Sequence, residues 1–165
     1  MSWLLRLLYL MAPVYAANMA ASLAPLFPGK PRAISERWLG SHKTWRGVAL
    51  AVVAAVATTW VQSRWEWSGG LVRYADWLVL GLACGLAAMA GDCAKSFVKR
   101  RRGIAPGERW MPADQLDYGV AGLLVLAIWY PFDWRDVALI LIVTFVGSVL
   151  VNRVSARLGI KGTPW

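Results

Sequence analysis

Three acidic residues, Asp92, Asp114 and Asp117, stand at the edges of apolar blocks, where a carboxylate is costly. Gly91-Asp92 closes one block, and Asp114-Gln115-Leu116-Asp117 leads into the next. The i, i+3 spacing of Asp114 and Asp117 puts both carboxylates on one face of a helix. With both block ends at one surface, three hard oxygen ligands converge beside many bases. That set suits Mg²⁺ holding a polyphosphate. The carboxylates alone support a structural reading equally well, in which Asp114 caps a helix and Asp92 pairs with a nearby Arg.

Two basic segments favour the chemical reading. Gly40-Ser41-His42-Lys43-Thr44-Trp45-Arg46-Gly47 precedes an apolar block. Its glycines, hydroxyls and cations at a helix amino terminus form an anion cradle. The spacing is not that of a P-loop. Lys95-Ser96-Phe97-Val98-Lys99-Arg100-Arg101-Arg102-Gly103, followed by Pro106-Gly107, places four consecutive bases after Asp92. Such a run binds phosphate, although on its own it is more often a membrane-surface anchor. Nucleic acid is not expected as a partner, because the patch is short and pinned to a membrane. His42 is read as a loop residue rather than a catalytic base.

The elements that must position these groups are apolar. Hydrophobic residues make up 58% of the 165-residue chain and charged residues 16%. Both depart from soluble-domain values in the direction of a lipid environment. Five blocks stand out, over 7–29, 47–63, 77–91 (extended backwards through Leu71), 118–132 and 137–152. A spanning helix needs roughly 17–25 residues, so the last three require interfacial residues to complete them. Trp77, Trp129, Trp134, Tyr74, Tyr118 and Tyr130 are placed to do so. The expected fold is an all-α integral membrane protein, one unit over 1–165, with five transmembrane helices and a polar cavity open to the cytoplasm. The first block is read as an uncleaved helix, too long and too thinly preceded by bases for a signal peptide. Cys84 and Cys93 fit neither a metal site nor a disulfide framework and are expected as small membrane-facing hydrophobes.

Charge sets the orientation. In a five-span chain the segments 30–46, 95–114 and 153–161 share one side and hold 14 of the 18 basic residues, Lys161 among them. Arg6, Arg64, Arg73 and Arg135 fall on the other side and are balanced there by Glu66, Asp76, Asp133 and Asp136. The positive-inside rule places the basic side in the cytoplasm, the amino terminus outside and the carboxyl terminus inside.

The ordered segments G-S-H-K-T-W-R-G (40–47), G-D-C-A-K-S-F-V-K-R-R-R-G-I-A-P-G (91–107) and D-Q-L-D-Y (114–118), with A-N-M at 17–19, resemble the CDP-archaeol synthases. These are CTP-dependent cytidylyltransferases related to the CDP-diacylglycerol synthases, described as five-helix membrane enzymes. The resemblance implies a Mg²⁺–triphosphate site at Asp92, Asp114 and Asp117. It implies that Lys43, counted with the catalytic set, contacts nucleotide or phosphate together with Thr44 and Arg46. Ser96, Lys99 and Arg100 would hold phosphates of CTP or lipid, and Asn18, Gln115 and Asn152 match polar family positions. CTP and an inner-leaflet lipid phosphate, either 2,3-bis-geranylgeranyl-glycerol phosphate-like or phosphatidic acid, are the implied substrates, and a homodimer is compatible with this reading. The chain departs from the family where Pro31 is followed by Arg32-Ala33 rather than by a Pro-x-Asp pattern, and where Met19-Ala20-Ala21 lacks a common proline. The rival from another class is a non-catalytic protein whose basic face binds anionic lipid. The D-x-x-D-G-x-x-A-R core of CDP-alcohol phosphotransferases is absent.

Overall fold

The computed structural model describes residues 2–65, 67–105 and 108–159. Glu66, Pro106, Gly107 and Lys161, which entered the readings above, lie outside the described residues. The elements are α1 (Trp3–Ser22), a 3₁₀ turn (Ala24–Leu26), α2 (Glu36–Leu39), α3 (Trp45–Trp65), α4 (Trp77–Arg101), α5 (Ala113–Leu126) and α6 (Trp134–Arg157). Among the described residues the only extended pairing is an isolated antiparallel bridge between Ala33 and Thr44.

Four segments are long and apolar enough to cross a membrane: α1 with its following turn, α3, α4 and α6. The remaining apolar block forms the 14-residue α5, below the usual spanning length. Several helices begin or end on Trp. Trp3, Trp45, Trp65 and Trp134 are all exposed, as expected of side chains seated at a membrane–water boundary.

The core is apolar, built on Leu7, Leu10, Met11, Leu80, Leu126 and Ile140, but polar side chains are buried beside it and large apolar ones cover the exterior. Thr59, Gln62, Gln115, Asp136 and Thr144 are buried, while Val53, Leu86, Leu124, Ile128 and Ile142 are exposed. Lipid solvates the apolar exterior and leaves polar side chains to find partners inside. Gln62 Nε2 donates to the Tyr9 carbonyl at 2.6 Å, and Tyr15 Oη and Thr144 Oγ1 lie 2.9 Å apart. At the less basic end Trp3 Nε1 donates to Asp136 Oδ1 at 2.7 Å, and the Tyr130 hydroxyl donates to its Oδ2 at 3.2 Å.

Small residues let the helices approach. A Cβ at Gly85 would lie 2.8 Å from Val52 Cα, so α3 and α4 meet backbone to backbone. α5 lies against α4, and α6 rests mostly on α5.

Several expectations require correction. The third block does not extend backwards to Leu71. It runs forwards through the basic segment to Arg101, so Asp92 lies within α4 and not at its end. Hydropathy stops where charges start, but the helix continues because those charges face partners, and Lys99, Arg100 and Arg101 sit favourably in its last turn. Cys84 faces the core and not the membrane. Tyr118 is also buried, its ring edge-on to Tyr15, and does not serve as an interfacial anchor.

Candidate active site

The basic ends of the helices surround a cavity of about 710 Å³. Its walls include Asn18 from α1, Lys43 and Thr44 from the loop before α3, Asp92, Lys95, Ser96, Lys99 and Arg100 from α4, Asp114 and Asp117 from α5, and Asn152 from α6.

Local structure delivers each group. The loop carrying Lys43 is folded back by two backbone bonds, Ile34 N to the Lys43 carbonyl at 2.8 Å and Trp45 N to the Arg32 carbonyl at 3.1 Å. Thr44 Oγ1 accepts from Gly47 N at 3.1 Å, capping the first turn of α3. Gly40 ends α2 with φ +86°, a conformation that favours glycine. On α4, positions 92, 95 and 99 share one face, which turns toward α5. Gly91 makes that contact close: a Cβ there would lie 2.5 Å from the Asp117 carbonyl oxygen and 2.7 Å from Ala121 Cβ.

The three carboxylates meet. Asp92 pairs with Lys43 through Oδ2 and with Lys95 through Oδ1 at 3.1 Å. Lys95 also reaches Asp117 Oδ2 at 2.8 Å and Asp114 Oδ1 at 3.4 Å. Lys99 Nζ donates to both oxygens of Asp114, at 3.0 and 3.1 Å, and to the Glu108 carbonyl. Backbone amides complete the set: Trp110 N donates to Asp114 Oδ2 at 2.6 Å and Tyr118 N to Asp117 Oδ1 at 2.8 Å. All six carboxylate oxygens are therefore engaged. Three carboxylates face three ammonium groups, each with less than a fifth of its side chain exposed.

Lys95, at the centre of this cluster, is the residue that sequence reasoning left in the basic run without a role. Its i, i+3 relation to Asp92 was the available signal. Of the four consecutive basic positions, Lys99 and Arg100 reach the cavity wall, and Arg100 Nε is buried without a partner among the described residues. Arg101 instead lies over the rings of Trp38 and Phe97, and Arg102 over Trp110. Those two cations fasten α2 and the loop before α5 to the end of α4.

The remaining predicted residues divide. Ser96 Oγ donates to the Asp92 carbonyl at 2.8 Å from the cavity wall, and Asn18 and Asn152 line it. Arg46 lies outside the lining and donates to the carbonyls of Phe27 and Gly29 at 3.0 and 3.2 Å. Gln115 is buried in the first turn of α5, away from the lining, and its Oε1 accepts no hydrogen bond among the described residues. His42 is on the cavity wall.

The donor chemistry fits a hard divalent cation, because one oxygen from each of three carboxylates is turned toward a single cationic point. That point is filled by the Lys95 ammonium. Among the described residues no three acidic, His or Cys side chains are spaced to hold an ion between them as they stand.

Comparison with known proteins identifies the family. The family model "CarS-like: CDP-archaeol synthase" matches residues 1–165. A CDP-archaeol synthase of Archaeoglobus fulgidus is 32% identical over 98% of each chain. That of Methanosphaerula palustris is 37% identical over 94% of this chain and 100% of its own. A solved structure described as an intramembrane enzyme for archaeal membrane lipids biosynthesis superposes with a TM-score of 0.72 at 27% identity, over 94% of both chains. With a full-length family match, relatives above 30% identity and a shared helical membrane architecture, the chain belongs to the CDP-archaeol synthase family and is a CTP-dependent nucleotidyltransferase of the membrane.

Proposed function

We propose that this protein transfers CMP from CTP to an ether-linked isoprenoid glycerol phosphate, giving a CDP-lipid and pyrophosphate, with phosphatidic acid as the weaker acceptor. The observation that carries this reading is the meeting of Asp92, Asp114 and Asp117 with Lys43, Lys95, Lys99 and Arg100 around one cavity. The names of the relatives favour the ether-linked acceptor.

In the proposed step an oxygen of the lipid phosphate bonds to the α-phosphorus of CTP. The bond from that phosphorus to the bridging oxygen breaks, and pyrophosphate departs with the electron pair. The nucleophile needs little activation, since a phosphomonoester with a second pKa of about 6 is largely dianionic at neutral pH. The chain's task is to position the substrates and compensate their charge. Lys43, Lys99 and Arg100 hold phosphate oxygens against mutual repulsion. Thr44 and Ser96 add hydroxyls on the same wall. When bound by Asp92, Asp114 and Asp117, Mg²⁺ supplies neutralisation of the triphosphate and of the departing pyrophosphate.

The site faces the cytoplasm in this reading, because the charge bias favours the basic end inside and the amino terminus outside. The short α5 acts as a fifth span whose first turn lines the aqueous mouth, so it need not cross the whole hydrocarbon layer. The test is incubation of purified protein with labelled CTP, Mg²⁺ and either archaetidic or phosphatidic acid. Formation of CDP-lipid with matching pyrophosphate is expected, faster with the ether lipid. Absence of pyrophosphate with both acceptors overturns the proposal.

A further inference from the structure

Lys95 touches all three carboxylates and is itself largely enclosed. Two helices converge on it, Asp92 from its own and Asp114 and Asp117 from α5. The cluster has already reached charge balance without any ligand. A free divalent cation arriving there would place two uncompensated positive charges in a poorly solvated spot beside three ammonium groups, a costly state. A metal–triphosphate complex remains anionic. On its arrival the ammonium groups gain phosphate partners as they lose carboxylate ones, and balance is kept.

We infer that Lys95 is an internal counter-cation that closes the three-carboxylate site to free divalent metal, so that the metal is admitted only together with a nucleoside triphosphate. The inference rests on the proposed assignment of Asp92, Asp114 and Asp117 as the metal-binding set. Lys95 acts through those carboxylates and is a positioning residue. It gathers them into one cluster and releases them when phosphate oxygens offer its ammonium an alternative.

The test reads metal binding rather than turnover. Mn²⁺ is titrated into detergent-solubilised protein without nucleotide and followed by electron paramagnetic resonance, with Asp117→Asn as the correction for binding elsewhere. Wild type is expected to bind no Mn²⁺ at this site below the millimolar range. Lys95→Gln is expected to bind it at least about tenfold more tightly, and Lys95→Arg, which keeps the charge, is expected to exclude it as wild type does. Tight nucleotide-free binding by wild type overturns the inference, and this arm stands even if Lys95→Gln fails to fold. Equal affinity in wild type and a folded Lys95→Gln also overturns it. A protein that excludes free Mn²⁺ as expected but makes no CDP-lipid would overturn the proposed function and not the metal gate.

Discussion

Gly91 of α4 lies so close to α5 that a methyl group at its Cα would stand 2.5 Å from the backbone carbonyl oxygen of Asp117. A backbone atom cannot swing aside as a side chain can, so the two helices would have to separate. Gly91→Ala is therefore expected to cost about 1–3 kcal/mol of stability and to lower turnover by moving Asp117 away from Lys95. Gly147→Ala on α6, where nothing lies within 4 Å of the added carbon, is the matched control and should behave as wild type. Thermal unfolding in detergent and CDP-lipid formation measure the two effects.

Asp92→Asn and Asp117→Asn are each expected to reduce turnover by about 10² or more while helical content by circular dichroism is retained. Each removes one charge from a site that needs all three. Near-normal turnover in both variants would show that the carboxylates only knit α4 to α5.

The basic run should divide by helix face. Arg100→Ala, on the cavity wall, is expected to raise the KM for CTP about tenfold. Arg101→Ala removes a cation from over Trp38 and Phe97 and should lower the melting temperature slightly, with the KM for CTP unchanged. Steady-state kinetics on both variants separates phosphate contact from the attachment of α2.

Asp136, at the opposite end of the bundle, accepts from Trp3 and Tyr130 and is buried. Asp136→Ala leaves both donors unpaired and is expected to destabilise by about 1–3 kcal/mol. Turnover at saturating substrate should stay within about twofold of wild type. A large kinetic effect in the folded variant would couple the two ends of the molecule.

Much of this arrangement was legible in the chain. Hydropathy located each main helix, because a lipid-facing surface demands continuous apolar sequence. The i, i+3 acids fixed the face of α5 that meets α4. The exact reach of α4 was not legible, because a charge that would end a membrane helix in lipid is tolerated where it faces partners such as Asp114 and Asp117. The inward position of Cys84 and Tyr118 was hidden for a related reason: when lipid is the solvent, an apolar residue has no preference between interior and exterior. Lys95 was obscured by its neighbours, since a run of bases reads as one surface patch until the helix sorts it into faces. The placement of Arg46 on two loop carbonyls depends on Gly29 and Phe27 arriving from a distant turn, which no local pattern encodes.

Asp92 and Lys95 sit one helical turn apart on the same strip of α4, joined at 3.1 Å. This pairing bears on biogenesis as well as on catalysis. A newly made α4 brings an acid together with its own neutralising base, so the segment can leave the insertion machinery carrying a dipole in place of an isolated charge. The acids of α5 then meet a base that α4 already carries, so the folded site keeps its charges compensated as the two helices come together.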